Sequence, residues 1–84
     1  MVSRKAVPPD NDGMVRDVRH QLGQKIKALR VKLGLTQDEL AWRAGISTKF
    51  LQNLEGKTPK KATIITLQKI AIGFKIPLWK LLKF

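Results

Sequence analysis

Apolar residues recur along most of this chain at helical spacing. Leu22, Ile26, Leu29 and Leu33 follow at steps of four, three and four, a single stripe on a helix expected over about 18–33. Gly34 stops that helix. Thr36, with Glu39 three residues on, makes a capping box that opens a second helix from Gln37 to Ala44, offering Leu40, Ala41 and Ala44 inward. Gly45 supplies the left-handed stop. Ser47 caps a third helix with Phe50, Leu51 and Leu54 inward, and Gly56 closes it. Thr63 caps a fourth, along which Ile64, Leu67, Ala71 and Phe74 form a stripe with Ile70 beside it. Pro77 ends that run and stands in the first turn of a last helix containing Leu78, Trp79, Leu81 and Leu82. ATIITL is β-prone in composition, but it continues through LQKIAIGF in helical period. The predicted fold is all-α, a compact five-helix domain.

The leading stretch MVSRKAVPPDNDGM holds a Pro pair, Asn, Asp and Gly and no sustained period. It reads as a flexible arm over 1–17 ahead of one domain over 18–84. Charge divides along the same boundary. Residues 1–17 sum to zero, 18–55 hold seven Lys or Arg against three acids, and 56–84 hold seven Lys and no acid, together +11 over 84 residues. Such an excess points to an anionic partner. With no Cys and a single histidine, His20, the chain lacks a thiolate nucleophile, a sulfur zinc site and a histidine pair. No catalytic residue, metal or cofactor is expected. Nor is a membrane span or signal sequence, so a cytoplasmic, non-enzymatic protein is expected.

The informative block is TQDELAWRAGISTKFLQNLEGK, two short helices joined at a glycine corner. Ala41 must be small beneath the facing helix, Gly45 must turn the chain, and Ile46, Leu51 and Leu54 must lock the second helix on the first. This is helix-turn-helix geometry. Through LGQKIKALRVKLGLTQDELAWRAGIS, FLQNLEGKT and TLQKIAIGFKIPL, residues about 22 to 82 resemble the DNA-binding domain of the lambda Cro and C1 repressor family, the XRE-type helix-turn-helix family. One departure is visible. The family commonly places one residue between the glutamate after Leu54 and the next glycine, whereas here Gly56 follows Glu55 directly.

The resemblance implies that Gln37 bonds a DNA phosphate and that Ser47 to Asn53 form the recognition helix in the major groove. Thr48, Lys49 and Asn53 are then the base readers, since Lys donates to guanine and Asn pairs with an adenine edge. Gln52 is open between base, phosphate and solvent. Ser47 is open between cap alone and cap with phosphate contact. Lys57, Lys60 and Lys61 lie in the loop that follows the backbone in relatives, their alternative being a solvated basic loop. Arg30 and Glu55 form a half-buried pair in many relatives and are assigned structural roles with Ala41 and Gly45. Arg19, Lys25 and Lys27 add to the positive field on faces that only geometry decides, and Trp42 is expected to fold over the core edge.

Trp79, Phe84, Ile65, Ile72 and Ile76 exceed what five minimal helices need, which favours a homodimer over coverage of a small core. Two-fold pairing implies a palindromic operator in double-stranded DNA. The leading function is sequence-specific duplex binding at an operator by a small repressor of phage, controller or autoregulatory type. Its alternatives are an antitoxin or coactivator-like module with a protein partner, and non-specific nucleic-acid binding.

Overall fold

Helical spacing is realised as five α-helices in the computed structural model, which describes residues 11–56 and 61–84. They are α1 (Asn11–Lys32), α2 (Gln37–Ala44), α3 (Thr48–Glu55), α4 (Ile64–Phe74) and α5 (Leu78–Leu81). No strand occurs among the described residues. None of these helices is long and apolar enough to cross a membrane.

α1 begins at Asn11 rather than near residue 18, so residues 11–17 of the expected arm are helical; residues 1–10 lie outside the described residues. The difference has a local cause. Pro8 and Pro9 precede Asn11 and no proline follows before the end of α1, so a helix nucleated at the anchored Leu22–Ile26 turn can propagate back through Gly13. The stripe at the other end is shorter than its spacing predicts. α1 stops at Lys32, Leu33 is 53% exposed, and Leu35 takes the buried position beyond the turn.

Three helices end in the same way. After α1, the Gly34 N–H donates to Val31 O and the Leu35 N–H to Arg30 O; after α2, Gly45 and Ile46 repeat this to Trp42 and Ala41; after α4, Lys75 and Ile76 repeat it to Ile72 and Ala71. These paired bonds satisfy otherwise orphaned carbonyls and need a left-handed residue at the turn. Gly45 meets this need at φ 71°, whereas α4 uses a side-chain-bearing residue, Lys75, at φ 60°. α3 differs. Gly56 closes it in extended conformation at φ −84°, which any residue adopts.

The starts are equally local. Thr36 Oγ1 accepts the Glu39 N–H at 3.0 Å, and the Glu39 carboxylate accepts the Thr36 N–H at 2.8 Å, completing the capping box. The backbone and hydroxyl bonds from Thr36 hold the Glu39 carboxyl below its ordinary pKa. Thr63 Oγ1 likewise accepts from the Thr66 N–H. Pro77 stands at the cap of α5 rather than inside its first turn.

Ile26, Leu40, Leu51, Ile70 and Leu81, one from each helix, are the largest fully buried side chains. The core therefore sits where all five helices meet, each contributing roughly 1.5–3 kcal/mol through such a side chain. Ala41 and Ala44 are buried between α2 and its neighbours. Ile64, at the first position of α4, is exposed and not part of that helix's inward stripe. At Gly23 an added Cβ would collide with the Leu54 carbonyl, so the absence of a side chain lets α1 and α3 cross backbone against side.

Candidate nucleic-acid interface

α3 is an eight-residue helix with two distinct faces. Leu51, Leu54 and Glu55 turn inward. Thr48, Lys49, Gln52 and Asn53 occupy the other side, Lys49 and Gln52 exposed and Thr48 and Asn53 half-buried. The split follows from spacing, because these four span an arc of about 140° at 100° per residue, opposite the apolar residues.

Local bonds fix what each polar group retains. Ser47 Oγ accepts the Phe50 N–H at 3.0 Å, which assigns it the cap and leaves its hydroxyl proton available. The Thr48 hydroxyl donates to Asp38 Oδ1 of α2 at 2.7 Å. Asn53 Nδ2 donates to the Lys49 carbonyl one turn back at 3.2 Å, keeping its own carbonyl and one N–H. Lys49 has a free reach.

Behind this face lies a polar network. Arg30 Nε and Nη2 donate to the two Glu55 oxygens at 2.9 and 3.0 Å, while Arg30 Nη1 donates to Leu35 O at 2.9 Å. Their side chains are 13% and 3% exposed. A two-point pair of this kind adds geometric constraint to charge attraction. Gln37 Nε2 also donates to Glu55, at 3.1 Å. Glu55 thereby links α1 and α3 and orients the first side chain of α2, whose second amide N–H has no partner among the described residues.

Lys27, Gln37, Gln52 and Gly56 line one open cleft of about 600 Å³ over this network. Geometry thus separates Lys27, Lys25 and Arg19, three of the basic residues of α1. Lys27 stands beside the α3 face, Lys25 lies in a groove with Trp79, Lys80 and Lys83, and Arg19 lines an apolar groove with Leu22, Leu82 and Phe84. Spacing held the signal for Lys27, which precedes Arg30 by three residues and so shares its helical face. Asp38 was missed for a different reason. As a first-turn acid it is accounted for by the α2 dipole, and nothing local announces a partner ten residues away.

Lys61 is exposed just before α4, whereas Lys57 and Lys60 lie outside the described residues. Trp42 is not at the core edge. It is 84% exposed, because it falls about 150° from the centre of the Leu40, Ala41 and Ala44 face of a short helix. Trp79 is 61% exposed, with Lys80 Nζ 5.9 Å from its ring centre. No group of three or more metal-ligating residues exists among the described residues.

The model of the helix-turn-helix domain family matches residues 23–83, which takes in the cap, the corner and α2 to α5. The chain belongs to that family. An uncharacterised HTH-type transcriptional regulator of Sinorhizobium fredii is 38% identical over 55 residues, covering 66% of this chain and 70% of the relative. In this helix-turn-helix domain, α2 and α3 are the paired helices, Gly45 is their corner, and α1 and α4 brace them from behind.

Proposed function

We propose that this chain binds double-stranded DNA sequence-specifically, with α3 in the major groove, and controls transcription by occupying an operator in the cytoplasm. The observation that carries this reading is the outward face of α3. Four polar side chains converge there, braced by the Arg30–Glu55 pair, on a chain of charge +11. Lys49, Asn53, Gln52 and Thr48 read bases; Gln37 and Ser47, with their spare protons, and the loop lysines Lys57, Lys60 and Lys61 meet phosphates. Lys27 joins the phosphate set through the shared cleft. No bond is made or broken. Two copies place two α3 helices one DNA turn apart, so the operator is palindromic and the protein a small repressor acting as a homodimer.

Selection from randomised duplexes, followed by affinity for the winner and a scrambled duplex across salt, tests this reading. Preference for the winner by about 10³ or more is expected, and equal binding to both would overturn it. Lys49→Ala erodes the preference. Lys61→Ala weakens both duplexes alike and lowers the salt slope by about one. One observation favours a second use of the fold: Trp42, exposed beside Asp38, Glu39 and Arg43 on the outer side of α2, offers an anchor for an antitoxin-like or coactivator-like protein contact.

A further inference from the structure

The Thr48 hydroxyl is already engaged in the folded chain. Thr48 is the first residue of α3 and Asp38 the second of α2, so their 2.7 Å bond joins the opening turns of the two helices that form the motif. A hydroxyl has one proton and two lone pairs. With its proton held by a carboxylate, in the short charge-assisted kind of bond, Thr48 faces outward as an acceptor. Asp38 is exposed and accepts only, so a base edge that also accepts meets two like dipoles instead of a donor.

Major-groove edges differ in just this respect. Adenine N6 and cytosine N4 donate, whereas guanine N7 and O6 and thymine O4 accept. We infer that Asp38 is a positioning residue for base recognition: by holding the Thr48 proton it makes the leading edge of α3 select an amino-bearing base, adenine or cytosine, and reject guanine. The inference rests on the DNA-reading role of α3 proposed above and adds to it the class of base and the residue that sets the choice. Lys49 on the same face is a donor, so the two neighbours read opposite chemistry, one an acceptor edge and the other an amino group. Asp38→Asn keeps an acceptor for the Thr48 proton while removing the charge, and Thr48→Val keeps the shape while removing the hydroxyl.

Selection from randomised duplexes with the full chain and its variants tests this directly. The unaltered protein is expected to select adenine or cytosine at one base of each half-site. Asp38→Ala frees the hydroxyl to donate as well as accept, so guanine and thymine gain on adenine and cytosine at that base alone and the discrimination falls by about tenfold. Asp38→Asn restores the original choice, and Thr48→Val abolishes discrimination at the same base, which supplies the readout should Asp38→Ala lose its fold by thermal melt. A profile unchanged in both Asp38→Ala and Thr48→Val overturns the inference, as does a uniform loss at all bases, which would make Asp38 a purely structural contact. If the unaltered protein selects no sequence at all, the DNA-reading role of α3 fails and this inference with it.

Discussion

Glu55 accepts three hydrogen bonds on a side chain that is 3% exposed, two from Arg30 and one from Gln37. Removing it strands a guanidinium that is itself mostly buried. Glu55→Ala is therefore expected to cost about 3 kcal/mol in a urea titration, and Glu55→Gln less, since one oxygen still accepts. A loss below about 0.5 kcal/mol, the usual range of surface changes, would show that water replaces the carboxylate. The same substitution frees the Gln37 amide, so phosphate affinity should fall more than overall stability explains. Gly23→Ala acts at another point of the same crossing. Its Cβ meets the Leu54 backbone, which cannot swing aside, and a destabilisation of about 3 kcal/mol is expected from forcing α1 off α3. Helical spacing alone makes the outward grouping of Thr48, Lys49, Gln52 and Asn53 legible. It could not show that Thr48 meets Asp38 or that Gln37 meets Glu55, because both bonds join residues on different helices and depend on how those helices cross.

At the scale of elements, what is local was readable and what is tertiary was not. The bounds of α2 and α3 follow from Thr36, Gly45 and Ser47, whose side chains and backbone angles act within four residues. The start of α1 escaped because the apolar stripe that marks this helix begins only at Leu22, and propagation from that anchored turn decides how far the helix extends before it; the exposure of Trp42 escaped because the inward face of a two-turn helix is narrow. The caps themselves carry two predictions. Lys75→Gly relieves a left-handed side-chain-bearing residue at φ 60° and is expected to raise stability by up to about 1 kcal/mol, net of the extra freedom of glycine when unfolded. An unchanged or lowered midpoint on thermal melting would show that the Lys75 side chain holds a compensating contact. The Glu39 carboxyl has a folded pKa below its unfolded value. Its contribution is thus complete above the unfolded carboxylate range and is lost as pH falls through the lowered folded value. A carboxyl-carbon NMR titration should find the depressed midpoint, and the Thr36 amide should shift with it.

For the whole molecule, one charge distribution bears with opposite sign on the two equilibria proposed above, DNA binding and pairing of two copies. Association with DNA releases counterions, so it weakens as salt rises. Pairing of two copies, each carrying +11, instead works against mutual repulsion, which salt screens over about 10 Å at 0.1 M. The surface makes this repulsion specific. Trp79, the large exposed apolar side chain of α5, shares its groove of about 330 Å³ with Leu29 and Ile76 but also with Lys25, Lys80 and Lys83. A homodimer that covers this groove brings up to six ammonium groups near one seam. Sedimentation of the free protein should therefore show self-association rising between 50 mM and 500 mM salt, while operator affinity falls across the same range. Trp79→Ser should abolish the first trend and weaken binding to a full palindrome toward that of a half-site duplex. If self-association instead falls with salt, the copies meet through opposite charges, and the acidic side of α2 beside Trp42 becomes the surface to mutate.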